Sequence, residues 1–122
     1  VINFETKDSG KRQEYPTGMR RDLQEGKPRY DLVVPVIPEG CTTDVVMFKR
    51  WADLMARGAE KYGERNWELA STKEEYERFK ASAFRHFLQW LYGEQDEDHA
   101  AAVMFNIQAA EFVKSKNPYE WR

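Results

Sequence analysis

"HAAAVMFNIQAAEFV", residues 99–113, is the stretch on which the fold turns. It is apolar almost all the way round, and a helix of that kind is buried on several sides rather than along one stripe. Its alanines allow neighbouring helices to approach closely. A helix is therefore predicted over about 97–114, at the centre of a small bundle. Val103 and Ile107 face away from the stripe that contains Phe105. A three-helix monomer would struggle to cover every face, so a second subunit is expected, in a dimer or tetramer.

Two further helices surround this one. The first is predicted over about 44–62. Thr43 or Asp44 is its expected N-cap, Phe48, Trp51, Met55, Gly58 and Tyr62 form its apolar stripe with Val45 and Ala59 flanking, and Gly63 is its stop. The second is predicted over about 73–92. Thr72 with Glu75 makes a capping-box pattern, Tyr76, Phe79, Ala83, Phe87, Trp90 and Leu91 form the apolar face, and Gly93 closes the helix. "NPYEWR" reads as a tail stopped by Pro118.

The first 43 residues are different in kind. They hold four of the five prolines and glycines at 10, 18, 26 and 40, with no helical period. They read as an extended arm packed on the body, on a partner or on ligand. "YDLVVPVIP" (30–38) has short-strand composition, but Pro35 and Pro38 restrict it to an edge or an extended wrap. The expected fold is thus all-α: three main helices over residues 44–122, plus a basic N-terminal arm over 1–43, completed by oligomerisation.

Composition narrows the function. A chain of 122 residues is most simply one domain, and 33% charged with 14% aromatic residues suits a folded chain with a charged surface. A single cysteine, Cys41, rules out an internal disulfide and reads as a free thiol. No run approaches the length needed to span a bilayer and no signal pattern opens the chain, so a cytoplasmic location is expected. A net charge of −2 gives no general reason to expect nucleic-acid binding. The charge is uneven. Residues 1–30 carry seven Lys/Arg against five Asp/Glu, and the remainder twelve against sixteen. A basic arm on an acidic body suits an anionic ligand held between the arm and a metal on the body.

Several side chains are candidates for chemistry. Glu94, Asp96, Glu97, Asp98 and His99 surround the start of the central helix. Acids there complement the helix dipole. That does not account for Asp98, which shares a face with Ala102, Phe105, Ala109 and Phe112 and needs a partner or a cation. His99 and Asn106, seven apart, lie on one face and suggest a polar pocket. The simplest reading of His86, beside Arg85, is a core histidine with a backbone partner. Glu60, opposite Trp51, admits two readings: a solvated face, or a face that the small Ala52, Ala56 and Ala59 open to another element. Carboxylates in a helical pocket with basic residues nearby imply Mg²⁺ chemistry on phosphates. No P-loop, zinc CxxC pair, HExxH, dinucleotide glycine loop or nucleophile elbow is present.

"TGMRRDLQEGKPRYDLVVP", then "GAEKYGERNW", then "RHFLQWLYGEQDEDHAAAVMFN" resemble, in order and spacing, the phage dATP/dGTP diphosphohydrolase family (N-terminal domain type). These are distant relatives of the MazG-like all-α nucleotide pyrophosphohydrolases. The resemblance implies an oligomeric enzyme dependent on Mg²⁺ or Mn²⁺ that cleaves a deoxypurine triphosphate (dGTP or dATP) to dNMP and pyrophosphate. It makes Glu60, Glu64, Glu94 and Asp98 the metal ligands, with Glu60, Glu64 and Asp98 catalytic. It places Lys61, Arg65, Asn66 and Trp67 against phosphate or base, Lys27 and Arg29 at the polyphosphate, and His86, His99 and Asn106 around the pocket.

The match has departures. MazG-like enzymes show an ExxE and an ExxD pair, whereas Glu60 and Glu64 are four apart and share a face only if the helix continues past Gly63. "VVPVIPEGCTTD" is longer than the family's usual link into the first helix, which bears on the pocket mouth or the subunit contact. A non-catalytic nucleotide-binding module, a sensor or sponge, is the alternative that an incomplete acid set would favour. A purely structural helical oligomer is the third.

Overall fold

Helix α3 (His99–Ser115) packs against both α1 (Met47–Tyr62) and α2 (Lys73–Leu91), more extensively against α2. Its alanines make this possible: Ala101, Ala102, Ala109 and Ala110 are all buried with Val113, while Ile107 is exposed. The computed structural model describes residues 2–117 and residue 121, and the expected stop at Pro118 lies outside them. The chain forms two compact units, residues 1–33 and 34–122. Residues 34–43, expected in the arm, belong to the helical unit.

The smaller unit, expected as an irregular or extended arm, is irregular apart from one short hairpin and one 3-10 turn. It contains a hairpin of β1 (Arg12–Glu14) and β2 (Arg20–Asp22), with Arg12 opposite Asp22 and Glu14 opposite Arg20. Opposite charges thus face one another across the strands. The loop is built by Pro16 and Gly18. Gly18 N–H donates to Tyr15 O at 2.8 Å, Tyr15 N–H donates to Met19 O at 2.9 Å, and Gly18 takes a φ of 92° that a side chain would oppose. Ser9 donates its hydroxyl to Asp22. Tyr30–Leu32, where an edge strand or an extended wrap is expected, is a single 3-10 turn. A 3-10 turn suits a segment whose prolines cannot donate to a ladder.

In the larger unit, α1 starts later than expected. Thr42, rather than Thr43 or Asp44, accepts the N–H of Asp44 and caps a 3-10 turn, Thr43–Val45, that precedes the helix. The helix ends at Tyr62 because Gly63 adopts φ 92°. Its inward face runs through Met47, Arg50, Trp51, Leu54, Met55, Gly58 and Ala59. Phe48 and Tyr62, expected on that face, are 64% and 62% exposed.

Helix α2 opens on the expected capping box. Thr72 Oγ1 accepts the Glu75 N–H at 3.2 Å, and Glu75 Oε1 accepts the N–H groups of Thr72 (3.1 Å) and Ser71 (3.0 Å). These bonds hold the Glu75 carboxyl below the usual range. Tyr76, Phe79 and Ala83 turn inward to some degree, but Phe87, Trp90 and Leu91 do not, and His86 holds the buried position. The core is closed at the other end by aromatic edges. Trp67, on the 3-10 helix Asn66–Leu69, meets Phe105 at 5.6 Å and Phe112 at 5.1 Å, and Tyr76 stacks on Trp121 at 5.4 Å. Lys116 Nζ donates to Glu68 O and Ala70 O at 2.7 and 2.6 Å, fastening the end of α3 to that segment.

Thr72→Ala removes the acceptor of the Glu75 N–H and leaves that N-terminal donor unserved. The expected loss is about 1 kcal/mol, read as a lowered urea midpoint with an unchanged slope. An unchanged midpoint would show that the capping box carries no stability.

Candidate functional site

The turn between α2 and α3 gathers most of the polar chemistry of the larger unit. Gly93, at φ 77°, reverses the chain, and Glu94 N–H returns to Gln89 O at 3.0 Å. The acids of 94–98 are thereby delivered to the start of α3. Beside them lies an open cleft of about 510 Å³, lined by Arg50, Trp90, Glu94, Glu97, Asp98 and His99 among others. Its size falls within the range of small-molecule sites.

Asp98 has a double role. Its carboxylate accepts the Ala101 N–H at 3.1 Å, which makes it the N-cap of α3 rather than a side chain on the helix face. Both of its oxygens also receive the Arg50 guanidinium, at 2.7 and 2.9 Å. This bidentate pair joins α1 to α3, and the guanidinium holds the Asp98 carboxyl below its ordinary range. The sequence asked for a partner or a cation at Asp98, and Arg50 is that partner.

Beneath the cleft, two buried imidazoles meet. His86 Nδ1 and His99 Nδ1 are 2.8 Å apart, and His99 Nε2 lies 2.7 Å from Asp96 Oδ1. The partners assign the protons. A carboxylate only accepts, so His99 Nε2 carries a hydrogen, and a guanidinium only donates, so His86 Nε2 offers its lone pair to Arg85 Nη2 at 3.3 Å. His86 then donates from Nδ1, and His99 Nδ1 accepts. The result is a directed chain, Arg85 to His86 to His99 to Asp96. Burial pushes the His86 pKa down, and the charge of Arg85 adds to this. The hydrogen bond from His99 lowers the Asp96 pKa. The partner of His86 is therefore a second histidine, not a backbone group.

Glu97 stands next to this pair. The ligand atoms of His86, Glu97 and His99 all lie within 4.8 Å of one another. Among the described residues, no three of Glu60, Glu64, Glu94 and Asp98 come together in this way. The reasons are local. Glu64 lies beyond the helix end fixed by Gly63, so it does not share a face with Glu60, which is exposed on the last turn of α1. Asp98 has both oxygens engaged. Within one chain these four acids do not form the oxygen cage that Mg²⁺ prefers.

The other expected contacts separate likewise. Trp67 is engaged with Phe105 and Phe112, because an indole at that position fills the space between α3 and the 66–69 turn. Asn106 is buried and donates to Ala102 O at 2.8 Å, one turn back on its own helix. Arg65 takes the left-handed conformation (φ 58°) and pairs with Glu68 at 2.6 Å. Lys61 is exposed over the ring of Tyr62, and Asn66 is exposed at the start of its turn. In the smaller unit, Arg29 forms a bidentate pair with Asp31 at 2.9 and 2.7 Å, and Lys27 approaches Asp22 at 3.8 Å. Arg50 is the residue that sequence reasoning missed. A cation three residues from Met47 and four from Leu54 was a signal that the inward face of α1 carries a charge.

The architecture is a small, mainly helical domain with a polar cleft at one helix junction. A family model described as dATP/dGTP diphosphohydrolase, N-terminal, matches residues 17–120, and the chain belongs to that family. No curated protein and no solved structure matches the chain. No helix among the described residues is long and apolar enough to cross a membrane.

Arg50→Met leaves a partly buried carboxylate without its charged partner, and should cost about 1–3 kcal/mol in chemical denaturation. Asp98→Asn keeps the capping oxygen and should cost less. The double variant should be more stable than the sum of the two losses predicts. Strict additivity would mean that the pair is not formed in solution.

Proposed function

We propose that this chain hydrolyses a purine deoxynucleoside triphosphate, dGTP or dATP, between its α and β phosphates. Water attacks the α phosphorus, the P–O bond to the β phosphate breaks, and the products are dNMP and pyrophosphate. The observation that carries this reading is the family match over 17–120. The cleft supports it in size and in polarity, with Glu94 and Glu97 exposed at its wall. Glu94 is the proposed acceptor for the proton of the attacking water.

The cleft is acidic. Its wall carries Glu94, Glu97 and Asp98 against the single guanidinium of Arg50. A triphosphate entering such a field is repelled unless a cation accompanies it. Dependence on a divalent cation, Mg²⁺ or Mn²⁺, is part of the proposal for that reason. Because Glu60, Glu64, Glu94 and Asp98 do not converge in one chain, no step is assigned to a metal they would share.

A homo-oligomer is also proposed. Phe87 and Trp90 lie with ring centroids 5.8 Å apart on the outside of α2, and Trp90 and Leu91 are 52% and 58% exposed. Contiguous aromatic surface of this kind marks an interface. Its proposed occupant is a second copy, as the unmet coverage of the helices suggests. Trp90→Lys should then shift the species seen by sedimentation toward monomer without loss of helical signal. A wild-type protein that is monomeric at all concentrations would end this part of the reading.

A second reading, binding of a nucleotide without turnover, is favoured by the scattered acids. Incubation with each of the four dNTPs and Mg²⁺ or Mn²⁺, with products separated by chromatography, decides between them. Monophosphate with pyrophosphate from a purine substrate is expected, and Glu94→Gln should lower turnover at least tenfold, of the order given by general-base loss. A nucleotide-dependent rise in melting temperature without products would instead support the binding module.

A further inference from the structure

We propose that His86, His99 and Glu97 form a binding site for a transition-metal dication, one that prefers nitrogen donors, open on one side to the cleft. This rests on the geometry of the His pair and not on the hydrolase reading. Imidazole nitrogens suit ions such as Zn²⁺ or Co²⁺, whereas Mg²⁺ prefers oxygen and keeps its waters.

Three observations carry it. The two Nδ1 atoms point at one another across 2.8 Å and are held by two different helices, α2 and α3. A single proton occupies the space between them. The second is Asp96. By taking the hydrogen on His99 Nε2, it fixes the tautomer whose Nδ1 lone pair points inward, the carboxylate–histidine arrangement that supports a metal ligand from behind. The third is Glu97, whose carboxylate makes no hydrogen bond or ion pair among the described residues and whose ligand oxygen is within reach of both rings. The exposed cleft beside it leaves a coordination position for water or a phosphate oxygen.

Binding needs a small adjustment. Two nitrogens at tetrahedral zinc distances from one ion are roughly 3.3 Å apart, so the rings separate by about half an ångström. His86 releases its hydrogen from Nδ1 and carries one on Nε2 instead, so neither ring changes charge. Arg85, an exposed side chain at 3.3 Å from that Nε2, loses its acceptor and turns away.

Titration of the full chain with Co²⁺, followed by visible absorption, and with Zn²⁺, followed by calorimetry, tests this. One ion per chain is expected at micromolar concentration, with no equivalent response to Mg²⁺. Nitrogen-15 correlation of the imidazoles in the Zn²⁺-loaded protein should show His86 changing from the Nδ1–H to the Nε2–H tautomer, a readout that needs no variant. Asp96 and Glu97 are exposed, so their variants should keep the fold by circular dichroism. Asp96→Asn should weaken Zn²⁺ binding about 10–100-fold, and Glu97→Gln at least several-fold. Absent uptake, an unchanged His86 tautomer on loading, or wild-type affinity in both variants would each overturn the site. None of these results depends on whether a nucleotide is hydrolysed.

Discussion

The carboxylate of Asp98 is the point on which the helical unit is assembled. It terminates the backbone of α3 by accepting the Ala101 N–H and binds α1 through the Arg50 guanidinium. A cap alone orders only the helix that it belongs to. An ion pair alone leaves the first turn of α3 with unsatisfied donors. With both on one group, the direction in which α3 starts and the position of α1 against it are set together. His99, the next residue, is then carried into the interior, where it can reach α2. The cap, the ion pair and the histidine contact thus join three helices within two consecutive residues.

That economy has an electrostatic consequence. The helix junction concentrates Glu94, Asp96, Glu97 and Asp98 at an N-terminus whose dipole favours them. It neutralises only some of them. Asp98 is matched by Arg50 and Asp96 faces His99, which leaves Glu94 and Glu97 on an open cleft with no ion pair among the described residues. A cleft with this charge does not attract a polyphosphate on its own. Cationic company is the physical condition for the proposed chemistry, whichever residues hold it.

Legibility in the sequence followed the strength of local signals. The capping box at Thr72 and Glu75, the glycine stop at Gly63 and the all-round apolar α3 were readable because each is set within a few residues. What could not be read was rotation. Phe48 and Tyr62 lie off the buried face of α1, and Phe87, Trp90 and Leu91 lie off that of α2. Aromatic residues weigh heavily in a periodicity argument, and here they drew the stripe away from Arg50 and His86. The polar residues won the interior because each finds its partner across the junction, and such pairings are long-range facts that no window reveals. The hairpin went unseen for a different reason. Its strands have three residues each, shorter than any alternation pattern can establish.

Asp98 and His86 show how a pairing question posed by one side chain is answered by another. A carboxylate facing an apolar surface requires a cation, and a guanidinium on an otherwise apolar helix face requires an anion. Each is anomalous alone, and together they cancel. The two histidines differ in one respect. Their mutual hydrogen bond satisfies them through a single shared proton, and Asp96 orients the pair from outside. The Arg50–Asp98 pair is held by three donors, two from the guanidinium and one from the backbone of α3. The imidazole pair is closed only by a hydrogen that can move to the far nitrogen of His86 without a change in charge. The salt bridge is therefore the fixed element of this junction, and the histidine pair is the element that can exchange its partner.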